Sequence, residues 1–425
     1  MNTTRRSFIG AGIATLAATA AARSQSTMGR VTKPHVVIIG GGAGGATAAK
    51  YLAKDGAGQI DVTLIEANKT YQSCFFSNHY IGGLREFSSL THNYEVLKSK
   101  FGIQVVHDRA VNVDRTNKNI ELENGFLRYD VLVLAPGIDF VEGSVNGWSM
   151  ADQRRMPHAY KGGEQARLLK AQIDAMPQGG VFAIVPPAGS YRCPPGPYER
   201  VCVVANLLKT INPTAKIIIA DPKPVFSKMG LFREAWKKYY KGMIDMNSDV
   251  DLTKFSVDPK AMTINLDDEV IKVDACNVIP GQKAGMIAHI AGVAENDWAP
   301  VHAQDMRSML DENIYILGDA ADQGAMPKSG FSANSQAKVC ANAILGRLTG
   351  AAVFTPRFSN TCWSMVAENN SVKIGANYRA TPDGIAKVDG FVSRRKEDAA
   401  TRKETYDESL SWYSSITEDM FEANS

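Results

Sequence analysis

The sequence lacks an excess of charge of either sign. Its 425 residues include 47 Lys and Arg against 44 Asp and Glu, which gives a net charge of +3. Nucleic-acid binding through phosphates needs a clustered basic face, so this balance gives no reason to expect it. Hydrophobic residues make up 44% and charged residues 21% of the chain. This composition excludes a disordered protein, and the length suffices for about three domains.

Metal-binding and haem-binding patterns are also missing. The six cysteines form no CxxC pair and no CxxCH haem-attachment sequence, and the seven histidines form no cluster with metal-ligand spacing. The chain is therefore expected to bind no metal and no haem c of its own. Three cysteines lie in apolar or helical sequence contexts, which favours buried, unreactive thiols: Cys202, Cys276 and Cys340.

Long hydrophobic runs are absent. The apolar stretch at residues 10–22 follows Arg5 and Arg6 and is shorter than the about 20 residues of a membrane-spanning helix. Small residues close it, so residues 1–22 are predicted to be a twin-arginine signal peptide rather than an amphipathic or disordered N-terminus. The mature chain is then expected in the periplasm, without membrane insertion, where disulfides can form.

A dinucleotide-binding unit begins near residue 35. The apolar run at residues 35–39 leads into GGGAGG at residues 40–45, and a second apolar run at residues 62–65 ends before Glu66. This order predicts a strand, a glycine turn, a helix and a strand, with Glu66 placed to bind the adenosine ribose. A glycine-rich surface turn, the alternative, would not need that acid. The residues predicted to admit the pyrophosphate are Gly40, Gly42 and Gly45.

Two later segments indicate which dinucleotide binds. Residues 130–137 (DVLVLAPG) read as a buried strand that runs into a turn, and residues 313–321 (NIYILGDAA) as a strand that ends at Asp319. Together with the N-terminal unit, these segments resemble the FAD domain of the two-dinucleotide-fold flavoproteins. The resemblance implies that Asp319 binds the ribityl chain and that a helix over about residues 332–347 points its N-terminus at the flavin.

A second unit of the same kind lies between the two halves of the first. Residues 179–185 and 216–220 read as strands and residues 198–208 as a helix, in the place where related folds bind NAD(P)H. The turn between them, PPAGSYRCPPGP at residues 186–197, contains Cys193. Prolines and bulky residues stand where a phosphate cradle needs glycines and free N–H groups. The second nucleotide site is therefore predicted to be inactive.

The predicted fold class is α/β, with two Rossmann-like dinucleotide-binding domains and a small α+β C-terminal domain. The FAD domain is discontinuous and covers residues 34–150 and 268–350. The degenerate NAD-like domain, residues 151–267, is inserted into it, and residues 351–425 form the C-terminal domain.

Four longer motifs resemble one family over nearly all of the chain after the leader. They are YQSCFFSN at 71–78, YRCPPGPYER at 191–200, MPKSGFSANSQ at 326–336 and NTCWS at 360–364. They resemble the flavoprotein subunit of flavocytochrome c sulfide dehydrogenase. That family is related to membrane sulfide:quinone oxidoreductases but passes electrons to a cytochrome c subunit.

The resemblance implies a role for three cysteines. Cys74 would be joined to the 8α-methyl group of FAD by a thioether, and Cys193 and Cys362 would form a redox-active disulfide beside the flavin. Sulfide attack on that disulfide would leave a persulfide on one cysteine and a thiolate on the other. Electrons would then pass to FAD and singly to the cytochrome c subunit of a heterodimer, which carries the haem c. A plain structural disulfide of an exported protein is the alternative for this pair.

Two charged residues have two interpretations each. Glu199 either manages a proton near the disulfide or simply favours the start of a helix. Lys328 either stabilises negative charge on the reduced flavin or is a solvated surface lysine.

The leading functional prediction is a periplasmic, FAD-dependent sulfide dehydrogenase. A sulfide:quinone oxidoreductase is the runner-up, disfavoured because residues 404–425 are too polar for membrane docking. An NAD(P)H-dependent disulfide or pyridine-nucleotide oxidase is disfavoured by the altered second turn. An accessory flavoprotein of a sulfur-oxidising multienzyme system is the alternative from a different class.

Overall fold

A five-stranded parallel sheet forms the first dinucleotide unit in the computed structural model, which describes residues 33–423. His35–Ile39 is the central strand, in which Val36 pairs with Val62 on one side and with Val131 on the other. These strands are apolar on both faces, as is typical of a parallel sheet covered on both sides. The strands in spatial order are Ile314–Ile316, Val131–Leu134, His35–Ile39, Asp61–Ile65 and Gln104–Val106.

The turn after the central strand requires glycine. Gly40 has a φ of +101°, and a Cβ atom there would lie 2.4 Å from the carbonyl oxygen of Ala135. A Cβ atom on Gly45 would lie 1.8 Å from the carbonyl oxygen of Gly40. Only glycine permits both the backbone conformation and this close approach. The turn leads directly into the helix Ala43–Asp55, which packs against the helix Gly330–Thr349.

A second parallel sheet forms the inserted unit. Its strands in spatial order are Ile244–Ser248, Lys216–Asp221, Val181–Val185 and Ala275–Val278. The last strand pairs with Val181–Val185 but lies beyond residue 267, the predicted end of this domain. The second unit therefore extends further along the chain than predicted. Its edge strand follows, in the chain, a separate three-stranded antiparallel sheet that comprises Ser256–Asp258, Thr263–Leu266 and Glu269–Lys272.

The C-terminal segment is an antiparallel sheet followed by a long helix. The sheet consists of Arg357–Ala367, Asn370–Thr381 and Gly384–Val392. The helix Ala399–Phe421 begins at Asp398, whose side chain accepts a hydrogen bond from the Thr401 N–H. It packs back on the first unit, where the Tyr51 hydroxyl donates to Asp419 over 2.9 Å.

Short elements complete the described chain. Small antiparallel pairings join Thr70–Gln72 to Thr91–Asn93, Ile138–Phe140 to Gln282–Ala284, and Ala110–Asp114, Asn119–Leu122 and Gly125–Arg128 in series. A short parallel pairing joins Ala299–Pro300 to Ala321–Asp322. The other helices are Ser77–Ile81, Glu95–Phe101, Glu164–Asp174, Gly196–Ile211, Met229–Tyr239 and Met286–Ile290, with 3₁₀ turns at Phe87–Leu90, Met150–Asp152 and Gly318–Ala320.

The observed architecture confirms the predicted fold class, with parallel sheets in both units and an α+β C-terminal segment. The predicted signal peptide at residues 1–22 lies outside the described residues. Within residues 33–423, no helix combines the length and the apolar character that crossing a membrane requires.

Candidate active site

Two adjoining cavities lie at the carboxyl edge of the first sheet. The larger, the dinucleotide cavity, has a volume of about 530 Å³ and is lined by the glycine turn, Glu66 and Asp319. The smaller, the cysteine cavity, has a volume of about 100 Å³ and is lined by all three cysteines that the resemblance singles out. The two cavities share four wall residues, which makes them neighbouring parts of one site: Cys74, Phe75, Arg192 and Gly330.

The dinucleotide cavity contains most of the residues predicted to bind FAD. Gly40, Gly42, Glu66 and Asp319 line it, whereas Gly45 lies behind the turn, against the Gly40 carbonyl, and is not in the wall. The Glu66 carboxylate accepts hydrogen bonds from the Gly41 N–H and the Asn68 N–H, over 2.8 and 2.9 Å. These contacts hold the carboxylate at the cavity wall, where a ribose hydroxyl can reach it.

The hydrogen bonding of Asp319 bears on whether the dinucleotide cavity fits FAD. Its side chain is 9% exposed, and its Oδ1 atom has no hydrogen-bond partner among the described residues. Its Oδ2 atom lies 3.4 Å from Nη1 of Arg192, whose Nη2 atom is likewise buried and without a partner in that range. Unsatisfied buried polar atoms are costly, so both atoms favour a polar ligand. A flavin with a polyol chain fits this requirement.

Cys74 lies where the two cavities meet. It follows the strand Thr70–Gln72, and its carbonyl oxygen accepts a hydrogen bond of 2.6 Å from the Ser77 hydroxyl. Phe76, with a φ of +66°, turns the chain sharply into the next helix. The thiol is therefore fixed at a tight bend rather than on a regular element.

Cys193 is held in a strained backbone conformation. Its φ of +53° lies in the left-handed region, which costs a non-glycine residue about 1 kcal/mol or more. Its N–H donates to the Lys328 carbonyl over 2.8 Å, and its carbonyl accepts from the Tyr160 hydroxyl over 3.0 Å and from the Gly196 N–H over 2.8 Å. These three bonds keep the half-buried thiol at the cavity wall.

Cys362 reaches the cysteine cavity from the C-terminal sheet. It lies in the strand Arg357–Ala367, where it pairs with Ile374, and its thiol is half-buried. Cys193 and Cys362 thus line one cavity although they are far apart in sequence. Both are free thiols in this structure, so the predicted disulfide is not formed here and stays a prediction.

Glu199 connects three chain segments at the same cavity. It lies in the first turn of the helix Gly196–Ile211, but it caps no N–H group of that helix. Its Oε1 atom accepts from the Met365 N–H over 2.9 Å and its Oε2 atom from the Asn78 amide over 2.7 Å. Burial raises the pKa of this carboxyl group. A carboxyl group that retains a proton more readily than usual is suited to proton transfer in the cavity.

Lys328 is not the solvated surface lysine of its second interpretation, and its role toward a reduced flavin stays a prediction. It is 6% exposed, so it is not a surface lysine, and burial lowers its pKa to about 8. Its ammonium group donates to the Asp319 and Ala321 carbonyls over 2.9 and 2.6 Å and lies 3.6 Å from the centre of the Trp298 ring. It lines a third cavity of about 390 Å³ rather than the dinucleotide or cysteine cavity. Its carbonyl supports the backbone of Cys193 instead.

In the second unit, the acid at the strand end that would bind a ribose is occupied by other side chains. Asp221 ends the strand Lys216–Asp221 and is fully buried. It accepts a hydrogen bond from the Tyr198 hydroxyl and pairs with Lys223 over 2.7 Å. The helix Gly196–Ile211, which precedes this strand, has Pro197 in its first turn, so that turn offers fewer free N–H groups for a phosphate. These contacts support the prediction that this unit does not bind NAD(P)H.

Sequence reasoning missed three basic residues at the site. Arg192 could have been noticed, since it adjoins Cys193 in the same turn. Arg200 closes the motif at residues 191–200, but its contacts, like those of Lys228, join segments that only the fold brings together. Arg200 is 2% exposed and donates to Asn78, Asn277 and Ala159 over 3.0, 2.6 and 2.7 Å.

Replacing Arg200 with Met is expected to lower the free energy of unfolding by about 3–5 kcal/mol, because three buried acceptors lose their donor. The urea midpoint of the FAD-loaded protein, followed by circular dichroism, measures this change. Arg233→Met, at an exposed position of the helix Met229–Tyr239, is the matched control and should change stability by no more than about 0.5 kcal/mol. Equal midpoints for the two variants would contradict the structural role of Arg200.

Three sequence families match the described chain. Residues 166–280 match the central domain of the sulfide dehydrogenase (flavocytochrome c) flavoprotein chain, and residues 354–421 match the flavin-binding domain of flavocytochrome c sulphide dehydrogenase. Residues 34–162 match pyridine nucleotide-disulphide oxidoreductase. The first two matches cover Cys193, Glu199 and Cys362, and the third covers the glycine turn, Glu66 and Cys74.

Individual proteins show the same relationships. The chain is 51% identical over 44 residues to the sulfide dehydrogenase (flavocytochrome c) flavoprotein chain of Chlorobaculum thiosulfatiphilum, covering 10% of this chain and 90% of that one. It is 30% identical over 111 residues to a sulfide-quinone reductase of Aquifex aeolicus, covering 26% of each. The chain aligns with less than a third of the length of the longer curated relatives it matches.

The fold is similar to that of a solved sulfide:quinone oxidoreductase from Aquifex aeolicus. The two superpose with a TM-score of 0.68 over 92% of this chain and 93% of that one, at 17% identity. At that identity, the similarity establishes the fold.

Proposed function

Because this chain belongs to the family of flavocytochrome c sulfide dehydrogenase flavoprotein chains, we propose that it is a periplasmic FAD-dependent sulfide dehydrogenase that reduces a cytochrome c subunit. The observation that carries this proposal is the meeting of Cys74, Cys193 and Cys362 at one cavity beside a dinucleotide cavity. Residues from three distant parts of the chain supply those thiols.

The chemistry proposed for the cysteine cavity is thiol–disulfide exchange. Once Cys193 and Cys362 are oxidised to a disulfide, hydrosulfide attacks one sulfur, and the other leaves as a thiolate. Glu199, with its raised pKa, exchanges protons with sulfide and the cysteine sulfurs. FAD, when bound, supplies the capacity to accept an electron pair and to release the electrons singly.

The dinucleotide cavity is proposed to hold FAD through both polar and covalent contacts. Glu66 binds the adenosine ribose, Asp319 binds the ribityl chain through its unpartnered oxygen, and Gly40 and Gly42 admit the pyrophosphate. Cys74 forms the 8α-S-cysteinyl thioether. The position of Cys74 in the wall that both cavities share supports this attachment.

The electron acceptor is proposed to be a cytochrome c subunit in a heterodimer. The chain contains no CxxCH sequence, so the haem c has to belong to the partner. The name of the Chlorobaculum relative, a flavocytochrome c flavoprotein chain, supports this partner. The twin-arginine pattern before residue 22 supports the periplasmic location.

An anaerobic sulfide titration of the purified flavoprotein tests the proposal. Sulfide should bleach the oxidised flavin, and the reduced protein should transfer electrons to cytochrome c faster than to a soluble quinone, whereas NADH should not bleach the flavin. Preferential reduction of the quinone would identify a sulfide:quinone oxidoreductase instead. Bleaching by NADH would identify a pyridine-nucleotide oxidase, and no bleaching by sulfide would leave only an accessory role.

A further inference from the structure

Lys228 is a buried lysine whose ammonium group contacts the backbone of Cys362. It is 8% exposed and immediately precedes the helix Met229–Tyr239, with a φ of +62°. Its ammonium group donates to the carbonyl oxygen of Cys362 over 3.0 Å and to the Ser364 hydroxyl over 2.9 Å. It takes part in none of the ion pairs found within residues 33–423. Burial lowers the pKa of Lys228, and the negative charges that oppose this effect, largest first, are those of Cys362, Glu199 and Cys193.

The surroundings of the two thiols are asymmetric. The Asn360 side-chain amide donates toward the Cys362 sulfur over 3.5 Å. Its orientation is set by the Ser329 hydroxyl, which donates to the Asn360 Oδ1 atom over 2.6 Å and leaves the NH₂ group for the sulfur. Cys362 therefore has both a cation and a hydrogen-bond donor beside it. Within residues 33–423, in contrast, no hydrogen-bond donor is found at the Cys193 sulfur, and the Cys193 backbone N–H donates to the Lys328 carbonyl.

The nearby charges act on both thiols, but their relative weight differs between Cys362 and Cys193. Burial raises the pKa of both thiols, but Lys228 and the Asn360 hydrogen bond oppose that rise at Cys362. At Cys193, Cys362 and Glu199 add to the rise caused by burial and Lys228 opposes it as a smaller influence, whereas at Cys362 Lys228 is the largest influence after burial and outranks the opposing Glu199. The titratable groups that face Cys362 are Lys228, Glu199, Cys193 and Tyr378. Among these groups, Lys228 is the one that favours a thiolate.

We propose that Lys228 makes Cys362 the thiolate of the reduced pair, and that Cys193 is therefore the cysteine that takes up the sulfur atom of sulfide. This assignment rests on the proposed function. The hydrosulfide sulfur forms a bond to the Cys193 Sγ atom while the Cys193–Cys362 disulfide bond breaks, and the electron pair of that bond stays on the Cys362 Sγ atom. The products are a Cys193 persulfide, which retains the proton, and a Cys362 thiolate. The thiol with the better stabilised thiolate is the faster leaving group. Lys228 acts through Cys362 and is thus a positioning residue.

Alkylation of the reduced protein tests the assignment without any turnover. The FAD-loaded protein is reduced anaerobically with dithiothreitol, freed of excess reductant, exposed to iodoacetamide between pH 6 and about pH 11.5, and digested, and the Cys193 and Cys362 peptides are quantified by mass spectrometry. In the wild type, Cys362 should react at least about tenfold faster than Cys193 at pH 7. In Lys228→Met, the midpoint of the Cys362 pH profile should rise by about one unit, which slows alkylation at pH 7 about tenfold.

Two further variants separate electrostatics from packing. Lys228→Arg keeps the charge and should restore the wild-type midpoint, whereas Lys237→Met removes an exposed charge of the following helix and should leave it unchanged. Faster alkylation of Cys193 than of Cys362 in the wild type would overturn the proposal even if Lys228→Met failed to fold. An unmoved Cys362 midpoint in a folded Lys228→Met protein would also overturn it.

The outcome is independent of the sulfide titration. If sulfide bleaches the flavin while Cys193 is alkylated first, the assignment to Lys228 fails and the proposed function stands. If sulfide does not bleach the flavin while Cys362 is alkylated first, the proposed function fails and Lys228 remains the counter-charge of a reactive thiol.

Discussion

Replacing either Cys193 or Cys362 with Ser is expected to slow flavin reduction by sulfide at least about 1,000-fold while FAD stays bound. A serine hydroxyl cannot form the disulfide that sulfide attacks. Without an S–S bond, sulfide has no electrophilic sulfur to attack and no thiolate can leave. Neither cysteine lines the dinucleotide cavity, so the contacts that hold FAD remain. Anaerobic stopped-flow absorbance of the oxidised flavin, after mixing with sulfide, measures the rate.

Cys202→Ser is the matched control for both variants. Cys202 is buried in the helix that follows the Cys193 turn, and its sulfur accepts a hydrogen bond of 3.2 Å from the Trp236 indole, which a serine oxygen can also accept. Its rate with sulfide should equal that of the wild type. Wild-type rates in Cys193→Ser or Cys362→Ser would remove the disulfide from the mechanism, while flavin loss in either would point to a structural role.

The parallel sheets could be predicted from the sequence because buried strands have a distinctive pattern. The apolar runs at residues 35–39 and 62–65 correspond to the strands His35–Ile39 and Asp61–Ile65. The glycine turn after the first strand adopts a conformation that other residues rarely adopt, so its position in the sequence marks where that strand ends. The helix expected at about residues 332–347 is observed as Gly330–Thr349. Local composition was sufficient here, since hydrophobic periodicity and glycine geometry are properties of neighbouring residues.

Long-range pairing could not be predicted in the same way. The strand Ala275–Val278 is short and apolar, and nothing in its four residues indicates which of the two sheets it joins. Lys328 has a polar local sequence, yet its side chain is buried against Trp298. In both cases, the deciding contacts come from residues distant in the chain, which neither composition nor spacing reports.

The site shows the same division between local and long-range information. Cys74, Cys193 and Cys362 were found through motifs, but their common cavity depends on contacts that the motifs do not contain. Glu199 joins the helix after Cys193 to the strand of Cys362 through the Met365 N–H. Lys228 reaches the same strand through the Cys362 carbonyl. The fold therefore adds an acid and a cation to the thiols, and both modify pKa values that burial raises.

Replacing Cys74 with Ser is expected to convert a flavin that survives acid denaturation into one that is released completely. In the wild type, the thioether should keep essentially all of the yellow colour with the precipitated protein, because a covalent bond does not depend on folding. Glu66 and Asp319 are unchanged in Cys74→Ser, so the native variant should still bind FAD, by hydrogen bonds alone. Precipitation with trichloroacetic acid, followed by the absorbance of pellet and supernatant and by mass spectrometry of the Cys74 peptide, measures the attachment.

Cys340→Ser, at a buried position of the helix Gly330–Thr349, is the control for this prediction and should behave as the wild type. Release of flavin from the acid-treated wild type, with an unmodified Cys74 peptide, would show that the thioether does not form.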